Sequence, residues 1–280
     1  MTTAYFERLR ARVAILLQAA ALGVALSAAL SPAPCAAQER LLVVADRRMP
    51  YNGEPGDPRE GYAVEILRAV FERKGYEVEY ALLPWKRAVQ DVRTGSADIL
   101  IGAVREEMPD LIYPTQSLGR ADLCFYSTDK DWRFTGPDSL SGVVTGFVPG
   151  HSYPDWFLQA LKDQPNRFHA LHGGDAFSRM LAMLVEGRVQ VIPGSRAVAD
   201  YYIRTGQFQE QVFFGGCSDG DTHDLFFALS PANMPRASLL ADALDSGVDT
   251  LRNTGQLNHL LIKYGLKDWL GLGQAAGPGN

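Results

Sequence analysis

A strand-then-helix alternation runs twice along this chain, and it constrains the fold more than any single residue does. Residues 41–45 form a short apolar run of the kind buried in a sheet. Over residues 61–75, Ala63, Leu67, Val70 and Phe71 recur at helical spacing among Glu65, Arg68, Glu72 and Lys74, and Gly75 supplies a stop. Tyr76, Val78, Tyr80 and Leu82 then alternate with Glu77 and Glu79, as in a strand with one wet face. A second helix is expected over 85–94, ahead of Gly95, and Ile99-Leu100-Ile101 reads as another buried strand. The pattern restarts with a strand at 143–148 and a helix carrying Trp156, Phe157, Ala160 and Leu161. A strand at 167–171, a helix through Phe177, Met180, Leu181 and Leu184, a strand at 189–192 and a helix from Ala197 follow. Such alternation predicts an α/β fold with largely parallel sheets, and two small βαβαβ blocks in tandem predict two lobes.

Residues 119–127 and 224–230 read as longer strands joining the blocks. Beyond them the chain is helical, with Leu239, Leu240, Leu244, Val248 and Leu251 followed by 257–264. Helices alone over so few residues cannot build a third lobe, so they are expected to pack back on the first, and the chain crosses between lobes twice. Residues 271–280, rich in Gly and Ala, read as a flexible tail.

The N-terminus has a different character. Arg8, Arg10 and Arg12 precede an apolar run over 13–30, which leads into Ser31-Pro32-Ala33-Pro34-Cys35-Ala36-Ala37. A basic start, an apolar stretch and a small-residue exit predict a secretory signal peptide over residues 1–37, removed after Ala37. An uncleaved membrane anchor is the rival reading, disfavoured by the alanine content and the helix-breaking prolines. Of 280 residues, 27 are Lys or Arg and 32 are Asp or Glu, so no basic excess supports a nucleic-acid partner. Cys124 and Cys217 are the cysteines left after cleavage; in an oxidising compartment they either pair or remain as buried thiols.

Several segments, in order, carry a resemblance. They are Met49-Pro50-Tyr51, Gly61-Tyr62-Ala63-Val64-Glu65-Ile66, Leu83-Pro84-Trp85-Lys86-Arg87-Ala88 and Gly95-Ser96-Ala97-Asp98-Ile99-Leu100-Ile101-Gly102. Gly142-Val143-Val144, Gly150-His151-Ser152-Tyr153, Gly187-Arg188-Val189 and Leu251-Arg252-Asn253-Thr254-Gly255 continue the series, which closes on residues 263–269. Together they resemble the family-3 extracellular solute-binding proteins, the receptor components of polar amino-acid importers. The resemblance implies a two-lobed periplasmic-binding-protein fold of type II, with two parallel-sheet lobes joined by a two-strand hinge. Lobe 1 would comprise residues 38–125 and 223–270, and lobe 2 residues 126–222. It also implies a small-molecule solute in the interlobe cleft, a membrane permease of an ABC importer as partner, a monomeric state and a periplasmic location. Neither a cofactor nor a metal is implied.

Within that frame each candidate residue has a chemical reason. Tyr51 follows the first strand, where the resemblance places a pocket-wall aromatic. Trp85 offers a flat face for stacking, and Arg87 a planar fork for a carboxylate. Arg105 follows the strand after which family members carry a carboxylate-clamping arginine; the family's own position falls near Glu107-Met108-Pro109, which holds none. The family's acidic residue for the ligand's amino group aligns at Ser195, so both halves of the usual clamp are altered. Gly150-His151-Ser152 is expected to open a helix, whose free N–H groups with the Ser152 hydroxyl would suit an anion. Cys124 on the first crossing strand and Cys217 shortly before the second are expected to form a disulfide near the hinge.

Metal chemistry has weak support. His169 and His172 lack an acidic or thiol partner nearby, and Asp219, Asp221 and Asp224 lack the glycine and terminal Glu of a calcium loop, so a solvated loop is expected there. The leading expectation is a non-catalytic binding protein for a carboxylate-bearing solute. Two alternatives stand beside it. One is a dehydratase similar to the cyclohexadienyl dehydratases, with His151 or Glu107 as its acid; the other is a periplasmic partner that reports ligand to a membrane receptor.

Overall fold

A strand of seventeen residues, β8 (Phe213–Leu229), runs through the middle of the sheet. The computed structural model describes residues 38–270; the expected signal peptide and the tail over 271–280 lie outside them. Among the described residues no helix is long and apolar enough to cross a membrane. The sheet has eight strands in the order β2-β1-β3-β8-β4-β7-β5-β6. In its first half, β1 (Glu39–Ala45) pairs in parallel with β2 (Tyr76–Leu82) and with β3 (Ile99–Val104). In its second half, β5 (Thr145–Phe147) pairs in parallel with β6 (Phe168–Ala170) and β7 (Val191–Gly194). The halves are thus built alike, as the repeated alternation predicts.

Two antiparallel strands connect them. Strand β4 (Gly119–Ser127) lies between β8 and β7, and β8 lies between β3 and β4. The sheets are therefore parallel within each half and antiparallel at the crossing. The long β8 departs from the sequence expectation, which starts a strand at 224 and leaves 219–224 as a loop. Polar residues such as Thr222 and His223 are recruited because β4 offers them a partner ladder, with Asp122 opposite Thr222 and Ala121 opposite His223. No hydrophobic period marks a strand formed in this way.

Helix α1 (Tyr62–Phe71) buries Ala63, Ile66, Leu67, Val70 and Phe71, and a short 3₁₀ turn carries it to Gly75, whose left-handed φ of 86° ends it. Helix α2 (Trp85–Thr94) covers the opposite face of the first half-sheet and stops at Gly95 in the same manner. In the second half, α3 (Asp155–Asp163), α4 (Ala176–Val185) and α5 (Arg196–Thr205) surround the sheet. The C-terminal helices α6 (Met234–Asn253) and α7 (Gln256–Lys263) return to the first core, where Leu240, Leu244, Val248, Leu251, Leu257 and Leu261 pack beside residues of α1. Arg236 pins this return through Asp98 at 3.1 Å.

One expected start is displaced. Helix α3 begins at Asp155 rather than at Ser152, with Pro154 at its N-cap. A residue before proline is pushed out of the helical region, so Tyr153 cannot continue a helix backwards, and the chain stays irregular from Gly150 to Pro154. The N–H groups expected to meet an anion at Ser152 are therefore not those of a helix start.

Candidate functional site

The loop after β1 is held rigidly. Arg48 N donates to Asn52 O at 2.9 Å, and Tyr51 N and Asn52 N both donate back to Arg48 O. Asn52 is buried and its side chain reaches Asp46 O. Gly61 makes the next crossing possible: its φ is 105°, and a Cβ there would lie 2.3 Å from Tyr51 O. Only glycine tolerates both that backbone and that approach. The Gly61 N–H donates to the Tyr264 hydroxyl at 2.9 Å, which ties this turn to the C-terminal segment.

Tyr51 is buried at the centre of this arrangement. Its hydroxyl donates to Arg120 O on β4 at 2.7 Å, and its ring stands 5.3 Å from that of Tyr62. Burial pushes the Tyr51 phenol up, against the opposing effect of the Arg48 charge and of Ser195. Ser195 belongs to the other half, as the N-cap of α5, and is 7% exposed. Its Oγ borders the Tyr51 phenol but has no hydrogen-bond partner of proper geometry. The helix end is instead capped by Asp122 of β4, whose Oδ1 accepts from Arg196 N at 2.9 Å.

The halves touch at other points. Ser152 Oγ hydrogen-bonds Glu107 Oε1, which joins the irregular segment before α3 to the loop after β3. Arg47 packs against Gly174, where an added Cβ would come within 3.3 Å of its side chain. Val198 of α5 belongs to the first core, with Tyr201 and Tyr202 packed on it, and Arg204 donates to Tyr264 O. His151 keeps open surface, yet the protein crowding it and the Arg48 charge push its imidazole down to about 4, so it is neutral at pH 7.

The sequence-predicted residues divide into two groups. Tyr51 and Ser195 meet across the halves, and Ser152 is bonded across them to Glu107. Trp85, Arg87 and Arg105 are otherwise engaged. Trp85 is half-buried against the second face of the first half-sheet. Arg87 is exposed and paired with Asp91 at 2.7 Å, one helical turn on. Arg105 lies over the Phe226 ring at 4.2 Å and donates to Pro114 O at 2.7 Å. The sequence reading passed over Arg48 and Asp122. A signal for Arg48 exists, since a basic pair follows an apolar strand with one residue between, at the sheet edge where α/β folds gather ligand-facing loops.

Cys124 and Cys217 stand opposite each other on β4 and β8 and form a disulfide across the crossing pair. Asp122 Oδ2 lies 3.1 Å from Cys124 Sγ. Among the described residues this is the one His, Cys, Asp and Glu cluster close enough to suggest a metal, but its sulfurs are bonded to each other and leave a single carboxylate.

The bacterial extracellular solute-binding proteins of family 3 match residues 42–267 by sequence profile. The chain belongs to that family. Solved structures agree on the fold. A histidine kinase sensor domain with similarity to periplasmic binding proteins is 18% identical, with TM-score 0.64 over 82% of this chain and 99% of that one. A protein of the glutathione-import system of Streptococcus mutans, described with the cystine ABC importer TcyBC, is 15% identical, with TM-score 0.67 over 81% and 95%. The ancestral amino-acid-binding protein AncCDT-1, a precursor of cyclohexadienyl dehydratase, is 16% identical, with TM-score 0.62 over 80% and 95%. No curated protein matched. The fold is that of a type II periplasmic binding protein, and family membership places it among extracellular or periplasmic proteins that bind small solutes.

Proposed function

We propose that this protein is a periplasmic receptor that takes a small carboxylate-bearing solute between its two half-sheets and delivers it to an ABC-type importer. The observation that carries the reading is the pairing of loops from both halves around the β4–β8 crossing. Tyr51 and Glu107 come from the first half, and Ser195 and Ser152 from the second. Residues 38–125 with 223–270, and residues 126–222, act as the two lobes, and β4 and β8 as the hinge. A solute that bridges the loops favours the closed arrangement, and the permease distinguishes closed from open. The protein is exported by a signal peptide cleaved after Ala37, works as a monomer and performs no chemistry on its solute.

A thermal-shift screen of mature protein over amino acids, dicarboxylates, peptides and polyamines tests this. A ligand present at 100 times its Kd raises stability by about 2.7 kcal/mol. If no compound shifts the transition and titration calorimetry of the same set is flat, the reading fails.

One observation favours a second reading. The hydrogen bond from Ser152 brings Glu107 beside the segment that holds His151, the two residues an eliminating enzyme of the cyclohexadienyl dehydratase kind would use here. A neutral His151 at pH 7 is a proton acceptor rather than the acid that a hydroxyl leaving group needs, which weighs for binding without catalysis. Incubation with a cyclohexadienyl carboxylate, followed by ultraviolet detection of an aromatic product, separates the two.

A further inference from the structure

Arg48 is the one arginine among the described residues that is half-buried and has neither an ion pair nor a side-chain hydrogen bond. The other half-buried arginines are engaged: Arg68 with Glu60, Arg236 with Glu39 and Asp98, and Arg252 with Asp268. A guanidinium carries five donors in a fixed fork, and withdrawing it from water without a partner is unfavourable. The backbone makes the position unavoidable, because the turn from Arg48 to Asn52 closes on itself through Arg48 N and Arg48 O. The side chain lies over the Tyr51 ring, with its guanidinium carbon 5.5 Å from the centroid.

The surroundings of Arg48 come from both halves. Its charge bears on Asp46, Tyr51 and Tyr62 of the first half, and on His151 and Tyr153 of the second. Asp46 is the sole acidic residue of that set, burial pushes its carboxyl up, and it stays outside salt-bridge distance of Arg48. At the far end of the Tyr51 ring stands Ser195 Oγ, buried and without a partner of its own. A cation over the Tyr51 ring and an unsatisfied hydroxyl beside its phenol stand where the halves meet, placed to engage an elongated molecule with an anionic head.

We infer that Arg48 is the anion clamp of the cleft, gripping a carboxylate above the Tyr51 ring while the Ser195 hydroxyl meets a neutral polar group at the ligand's other end. The inference rests on the solute-binding reading and deepens it: the ligand class is a small organic acid, and the clamp stands on the loop after β1 rather than after β3. Arg105 cannot serve in its place without leaving Phe226 and Pro114, nor Arg87 without leaving Asp91.

The test uses mature protein and a probe panel of succinate, L-glutamate, L-lactate and benzoate, with spermidine and glucose as cationic and uncharged comparisons, read by thermal shift and then calorimetry. A carboxylate held by a charged fork should bind Arg48→Ala about ten- to a hundredfold more weakly than wild type. Arg48→Lys, which keeps the charge but loses the fork, should fall between them, and Arg87→Ala should bind as wild type. Circular dichroism and the unliganded transition check folding; if Arg48→Ala does not fold, Arg48→Lys carries the test, and equal affinity for Arg48→Lys and wild type overturns the clamp. Carboxylate binding undiminished in Arg48→Ala overturns the clamp and leaves the binding reading standing, as does wild-type binding confined to spermidine or glucose. Absence of binding to every probe in the panel overturns both.

Discussion

Removal of the Cys124–Cys217 bridge should cost this molecule a large share of its stability. The bridge joins positions 93 residues apart, across the two strands that connect the halves. In the chain-entropy account, closing a loop of that length removes freedom from the unfolded chain worth about 4–5 kcal/mol. Cys124 is fully buried, so a Cys124→Ala, Cys217→Ala variant also loses sulfur packing there. Against a typical total of about 5–15 kcal/mol, that is about a quarter or more of the stability. For a chain of this size about 2–4 °C accompany each kcal/mol, so the midpoint should fall by about 8–20 °C. Urea unfolding of oxidised wild type, reduced wild type and the double-alanine variant measures it, with thiol labelling of the denatured protein as the control. Reduced wild type and the variant should fall together. Equal stability of the oxidised and reduced proteins, or two labelled thiols in the unreduced chain, would refute the reasoning.

Three further outcomes follow from named contacts. Gly61→Ala should destabilise by about 1–3 kcal/mol from backbone strain alone, and by more because the new methyl collides with Tyr51 O; an unchanged urea midpoint would show that the turn relaxes freely. Asp122→Ala removes the acceptor for Arg196 N and should cost about 1 kcal/mol, with Asp122→Asn recovering most of it; denaturant titration of both checks this. Burial pushes the Glu60 carboxyl up, but hydrogen bonds from Arg68 and Gly56 outweigh it and hold the group below the usual glutamate range. A depressed folded-state pKa gives stability that is present above the unfolded value and lost as pH falls through the folded one, so Glu60→Gln should flatten the acid limb of the stability–pH curve below about pH 4.5. An unaltered acid limb would mean that the Glu60–Arg68 pair is not linked to folding.

The fold was legible because its signals are local. Helix α2 spans the residues 85–94 expected ahead of Gly95, and β4 has the bounds 119–127 expected for it. Both patterns are complete within a few residues of chain. The differences lie where partners from elsewhere decide the structure. Strand β8 extends back to Phe213 because β4 pairs with it, and Tyr153 leaves the helix because of the proline after it. The site was less legible for the same reason. Tyr51 and Ser195 stood as candidates through the resemblance, but they are far apart in sequence, and only the packed chain shows that they meet. Arg87 and Arg105 had the right chemistry, but sequence does not show that Asp91, Phe226 and Pro114 engage them.

What the sequence treated as two separate features, a hinge and a cleft, meets within five residues of β4. Arg120 O accepts the hydroxyl of Tyr51, Asp122 caps α5 next to Ser195, and Cys124 is bonded to β8. These three alternate on the strand, so the carbonyl of one and the side chains of the others fix the Tyr51 loop, the second half and the crossing pair to a single rigid segment. Any rotation of one half against the other must therefore break or stretch either the Tyr51–Arg120 hydrogen bond or the contact between Tyr51 and Ser195, because the bridge prevents β4 from sliding along β8. The first of these joins Tyr51 to the crossing strand β4, and the second joins it to the second half. If the halves part as proposed, Tyr51 should leave Ser195 while the Tyr51–Arg120 bond survives, which keeps the aromatic ring and Arg48 together on the first half.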